Sequence, residues 1–156
     1  MTAITPEELK ERVAVVKRFR ELLREQRERF SNYLDVLDKQ KVVVEKGNAE
    51  DILSHIEIEE KMLSDIFSIQ KALAPLEPLY RTSVKTVKAP DVAEIQSALE
   101  NLKTEAVQKV KQNRDILGIR MSELKKQMEV LRNNPYARRS VRFMAGDNAS
   151  FVDMEG

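Results

Sequence analysis

The sequence predicts an all-α protein, an elongated antiparallel coiled-coil-like bundle of three main helices followed by a carboxy-terminal tail. Apolar residues recur every three or four positions over most of the chain. Leu9, Val13, Val16, Leu23, Phe30, Leu34, Leu37 and Val44 share one 4-3 register, and Ile95, Leu99, Leu102, Ala106, Leu117, Leu124 and Leu131 share another. A period near 3.5 sets such residues along one helix face, which helices bury by packing against other helices. The 156 residues hold only four Gly and five Pro, too few turn formers for a sheet of many short strands. These few breakers also cluster, so the periodic segments between them are long.

The first helix is expected over residues 6–46. Thr5 can accept from the amide three residues on, Pro6 lacks the amide that would go unpaired, and Glu8 completes a capping box. No Gly or Pro follows until Gly47, so the helix runs for about 40 residues, roughly 60 Å. Gly47 suits a left-handed C′ position and Asn48 can cap the next helix at once, which makes an antiparallel hairpin.

The second helix is expected over 49–74, with Ile52, Ile56, Leu63, Ile66 and Leu73 inward. Pro75 and Pro78 should end or kink it, because each removes a helix hydrogen bond and its ring clashes with the preceding turn. Residues 79–89 read as a loop with at most one helical turn. Pro90 fits the first position of a third helix over 91–132, which Asn133-Asn134-Pro135 stops. Residues 1–134 are thus the bundle. Residues 135–156 lack periodicity and read as a flexible tail.

Charge is abundant but balanced, with 34% charged residues and a net charge of +1. The first helix is basic between Lys10 and Arg29, and the second is acidic from Glu50 to Asp65. Mutual solvation and modest pairing explain this, each exposed pair contributing at most about 1 kcal/mol. Without Cys there is neither a disulfide nor a thiolate metal site. No apolar run approaches the roughly 20 residues of a membrane span, and the charged amino-terminus does not resemble a signal peptide. A cytoplasmic protein without stable membrane insertion is expected.

Catalytic patterns are nearly absent. His55 is the one imidazole and reads as a surface residue. Glu57, Glu59 and Glu60 cluster, yet a di-metal carboxylate site in a bundle uses Glu-x-x-His pairs from facing helices. No glycine-rich phosphate loop or nucleophile motif occurs. No enzyme activity, metal or cofactor is expected.

The chemistry of the chain points instead to a partner. Met121 and Met128 lie one heptad apart beside Leu117, Leu124 and Leu131, and flexible, polarizable methionines adapt to varied apolar surfaces. The first and third helices are read as much longer than the second, so the middle helix cannot cover both distal ends. The uncovered row would form a groove for an amphipathic helix. In the tail, Arg138, Arg139 and Arg142 alternate with Tyr136 and Phe143. Three arginines are a small footprint for nucleic acid, whose non-specific affinity comes from many phosphate contacts. Nucleic acid is therefore not an expected partner.

Four short stretches carry a family resemblance. They are the turn Lys46-Gly47-Asn48, then Ile58-Glu59-Glu60-Lys61-Met62-Leu63, then Asn113-Arg114-Asp115-Ile116-Leu117, and last Phe151-Val152-Asp153-Met154-Glu155-Gly156. In this order and spacing the chain resembles the FlgN family of flagellar type III export chaperones across nearly its whole length. The second stretch is similar to the family's Glu-Glu-Lys-x-x-Leu, the third to its Asn-x-x-Leu-Leu, and the last to its closing Tyr-Asp-x-x-Gly.

The resemblance implies a small cytosolic helical chaperone. Such proteins bind the carboxy-terminal helices of hook–filament junction proteins, prevent their premature assembly and deliver them to a membrane export-gate component. Carried across, the cargo surface is Asn113, Leu117, Met121, Leu124, Met128 and Leu131. Docking on the gate falls to Tyr136, Phe151, Val152, Asp153 and Gly156. Val152 stands where the family has Tyr, which leaves open whether Phe151 or Tyr136 supplies the docking aromatic. A structural coiled-coil protein that self-associates or scaffolds is the alternative, and a homo-oligomer in the absence of cargo is compatible with either reading.

Overall fold

A computed structural model describes residues 3–133, which form three helices and no strand. Helix α1 spans Pro6–Lys46. Its start follows the sequence signals, with Thr5 Oγ1 accepting from the Glu8 amide at 3.1 Å and Pro6 in the first turn. At its other end Gly47 is extended (φ −77°, ψ 169°) and not left-handed. Glycine is needed there for space. A Cβ at position 47 would stand 2.6 Å from the Val43 carbonyl oxygen, which accepts from the Gly47 amide. Asn48 then caps helix α2 at once, its Oδ1 accepting from the Asp51 amide at 2.8 Å.

Helix α2 spans Ala49–Ser83. It does not end at residue 74, and residues 79–83, expected in a loop, are its last turn. Pro75 and Pro78 lie inside the helix and both face solvent. The carbonyls of Lys71 and Ala74, which lose their amide partners to the prolines, belong to exposed residues where water can replace them. Packing supplies the compensation. Leu73 is buried, Leu76 and Tyr80 pack on the core, and the Tyr80 ring stacks on Phe19 of α1 with centroids 4.3 Å apart. A helix stopping at residue 74 would leave those contacts unmade.

Ser83 closes the turn to the third helix, its carbonyl accepting from the Thr86 and Val87 amides at 3.1 and 2.9 Å. Helix α3 spans Pro90–Asn133. Helix α2 has 35 residues against 41 and 44 for the others, so the large disparity expected from the sequence is not found. Among the described residues no helix is long and apolar enough to cross a membrane.

The chain divides into two units, residues 1–114 and 115–156. In the first, α2 runs antiparallel to α1 and α3 runs parallel to it, as the pairs Phe19–Tyr80, Gln26–Ile66, Arg24–Asp91 and Leu37–Asn113 require. One apolar cluster joins Val16, Phe19, Leu22 and Leu23 to Ile69, Leu73, Val92, Ile95 and Leu99. A second joins Tyr33, Leu34 and Leu37 to Ile66 and Ala106, with Phe30 touching both.

Two heptad rows of α1 therefore face inward. Val16, Leu23, Phe30, Leu37 and Val44 form the apolar one, and Phe19, Gln26, Tyr33 and Gln40 form a half-polar one. Leu9 and Val13, at the head of the expected stripe, are exposed. Gln26 is 1% exposed and donates to the Ile66 carbonyl at 3.2 Å, while its own Oε1 has no partner among the described residues. The second unit is described only through the last part of α3, residues 115–133.

The basic start of α1 pairs mainly with α3. Arg20 and Arg24 each approach Asp91 Oδ2 to 3.1 Å, and Lys109 bonds Asp38, whereas Arg29–Asp65 at 4.0 Å is a long pair to acidic α2. These groups are substantially exposed, so each pair contributes at most about 1 kcal/mol.

Because α2 continues through both prolines, restoring the missing amide should strengthen it. Pro75→Ala is expected to raise stability by about 1–2 kcal/mol, the regained helix bond outweighing the looser unfolded chain. Urea unfolding checks this; an unchanged or lowered midpoint would mean the helix does not need that bond.

Candidate partner-binding surface

Asn113 sits where α3 is last buried. It is 5% exposed, and its Nδ2 donates to the Leu37 carbonyl at 3.0 Å and to Gln40 Oε1 at 2.9 Å. Gln40 Nε2 in turn donates to Glu59 Oε2 at 2.7 Å, and the Tyr33 hydroxyl donates to Glu59 Oε1 at 2.8 Å. One connected set of hydrogen bonds thus joins all three helices. Gln40 serves as a relay because its amide has both a donor and an acceptor end. Burial first, and then the bond to Glu59, hold the Tyr33 phenol well above its ordinary value of 10.0. Asn113, expected on the cargo surface, is thereby committed to the core.

Beyond Asn113 the periodicity shifts. The buried row Val92, Leu99, Ala106 and Asn113 advances by seven, and its continuation is Arg120 and Gln127. Leu117, Leu124 and Leu131 stand four residues off that row. The sequence register that joined Ala106 to Leu117 therefore contains a four-residue slip, an 11-residue step that offsets the drift of roughly 20° per heptad on an α-helix. At roughly 100° per residue the distal row, with Met121 and Met128, stays within roughly 20° of the midline of the buried positions.

Exposure follows the slip. Leu117 is half-buried, and every residue from Met121 to Asn133 is exposed. Met121 is 61% exposed, Leu124 47%, Met128 59% and Leu131 37%. Five residues expected to bind cargo therefore form one apolar row, and four of them are open to solvent. Gly118 borders this row, and a Cβ there would meet nothing within 4 Å. Tyr136, Phe151, Val152, Asp153 and Gly156, expected to dock on the export gate, lie outside the described residues, as does the tail 135–156.

Other features offer less. An open groove of about 750 Å³ on α1, lined by Arg24, Glu25, Glu28, Ser31 and Leu102 among others, mixes both charge signs and brings no base onto Ser31. His55 is half-buried rather than a free surface residue, and its Nδ1 has no partner among the described residues. No group of three His, Asp or Glu side chains among the described residues could hold a metal ion. The polar row Gln26, Tyr33 and Gln40 escaped the sequence reading, although its spacing of seven from Phe19 was the available signal.

Comparison with known proteins places the chain beside an uncharacterized protein of Treponema pallidum (strain Nichols). The two are 36% identical over 149 residues, covering 96% of this chain and 94% of the relative. No family model matches the chain, and no solved structure matches it.

Two measurements probe the polar set. Asn113→Ala leaves Gln40 Oε1 without its donor inside the bundle and should cost about 1–3 kcal/mol of stability, read from urea unfolding. The raised Tyr33 proton affinity adds a pH dependence. A group that holds its proton more tightly when folded contributes stability that is fully present below the unfolded value, here 10.0, and lost as pH rises above it. Wild-type stability should therefore fall above pH 10, and Tyr33→Phe should flatten part of that fall. Tyr80, raised chiefly by burial, and Lys109, raised chiefly by its hydrogen bond to Asp38, should add to the fall.

Proposed function

The chain belongs to one family with that Treponema pallidum protein, and we propose that it is a non-enzymatic chaperone that holds an amphipathic helix of another protein. The carrying observation is the exposed row of Met121, Leu124, Met128 and Leu131 beyond the last buried residue of α3. Its spacing of i, i+3, i+7 and i+10 is the 3-4 alternation by which one helix packs along another. Flexible methionines let a single surface accept several side-chain shapes.

In its specific form the proposal follows the resemblance to the FlgN family. The cargo is then the carboxy-terminal helical part of a flagellar hook–filament junction protein, kept from premature assembly in the cytoplasm and passed to the membrane export gate. Docking there falls to the tail, with Tyr136, Phe151, Val152, Asp153 and Gly156 as the segment concerned. Holding would run by binding equilibrium. Covering apolar cargo area contributes about 25 cal/mol per Å² before the cost of ordering the helix, and release follows when another partner competes.

Titrating a carboxy-terminal fragment of a hook–filament junction protein against the full chain tests this. Changing Met121 and Leu124 together to Asp should weaken binding about a hundredfold, since two apolar contacts are lost and two carboxylates are desolvated. Both positions are exposed, so circular dichroism should show the helices intact. Unchanged affinity in that folded variant would sink the proposal. A stable homo-oligomer indifferent to the fragment would favour the structural coiled coil instead.

A further inference from the structure

The side chains that border the exposed row identify the partner further. With roughly 100° per residue, one border of the row holds Gly118, Lys125 and Arg132, and the other holds Arg120 and Gln127. Every charge in these flanking positions is positive. The carboxylates of the same stretch, Asp115, Glu123 and Glu129, lie roughly 120° or more from the row's midline. Lys125 and Arg132 are exposed and have no ionic partner among the described residues.

When two helices pack along an apolar seam, the residues bordering it on one helix face those bordering it on the other, and their charges set partner choice and orientation. We infer that the occupant of this row is an amphipathic helix of a different protein whose apolar seam is bordered by Asp and Glu. The inference rests on the chaperone reading and adds the charge of the cargo to it. The same pattern argues against a second copy of this chain, because two copies of this face would bring Lys125 and Arg132 against one another. Like charges at such positions disfavour pairing. The borders thus separate self-association from capture of a partner, which an apolar row alone cannot do.

Two synthetic helical peptides of equal length and identical leucine seams, one bordered by Glu and one by Lys, test this against the full chain by fluorescence anisotropy. At low salt the Glu-bordered peptide should bind about tenfold tighter, and the gap should close at high salt as the charges are screened. Lys125→Glu with Arg132→Glu should reverse the order, with circular dichroism confirming retained helix. Equal affinities at low salt, or an unreversed order in that variant, overturn the charge assignment while leaving helix capture standing. Failure of both peptides to bind, or equal binding by the chain with Met121 and Leu124 changed to Asp, overturns the chaperone reading itself. A homodimer by light scattering that neither peptide displaces assigns the row to a second copy and overturns the inference.

Discussion

One amide group on α3 fixes the register in which that helix packs on the other two. Asn113 donates to the Leu37 carbonyl and to Gln40 Oε1, and Gln40 passes the connection to Glu59, which Tyr33 also holds. Polar groups in a helical core must be paired or they destabilise it. This set pairs its members only in one alignment of the three helices. Shifting α3 by a turn would strand Asn113 and Gln40 inside the bundle. Apolar contacts tolerate such slides far better, so the polar layer serves as the register mark. Single buried polar residues in coiled coils have the same role.

The rest of the bundle is consistent with that mark. Between Val16 and Leu99 the core is aliphatic and aromatic and supplies most of the burial. Towards Asn113 the fully buried positions of α3 become small or polar, at Ala106 and Asn113, with Leu102 and Val110 packed partly buried beside them. Lys109 stays ionised there through its hydrogen bond to Asp38, which raises its proton affinity before any other influence. The apolar residues then reappear four positions off the buried row, at Leu117. That step keeps them close to the buried face of an α-helix, yet every described residue from Met121 on is exposed, so apolar periodicity alone does not bury this stretch.

The family shared with the Treponema pallidum protein gives the chain a relative of nearly equal length without giving it a function. The functional reading therefore stands on physical features: an open apolar row, methionines within it, and basic borders along it. Together they support the proposal that this surface receives an amphipathic helix with acidic borders. An apolar row with borders of mixed charge would suit a structural coiled coil equally well; a row whose bordering charges are all positive is harder to reconcile with self-pairing.

Local chemistry in the sequence determined where helices begin and how α1 and α2 are joined. Thr5, Pro6, Gly47 and Asn48 act within a few residues of themselves, and the apolar heptad row of α1 was legible for the same reason. Three things were decided only by tertiary contacts. Helix α2 runs through Pro75 and Pro78 because Leu76 and Tyr80 have a core to pack on, a gain that no local rule contains. Gln26, Tyr33 and Gln40 face inward because partners on α2 and α3 receive their hydrogen bonds, whereas composition alone assigns such residues to water. And Asn113 belongs to the core while Leu124 and Met128 do not, since burial depends on what lies opposite a helix face. Periodicity names the face; it does not supply the neighbour.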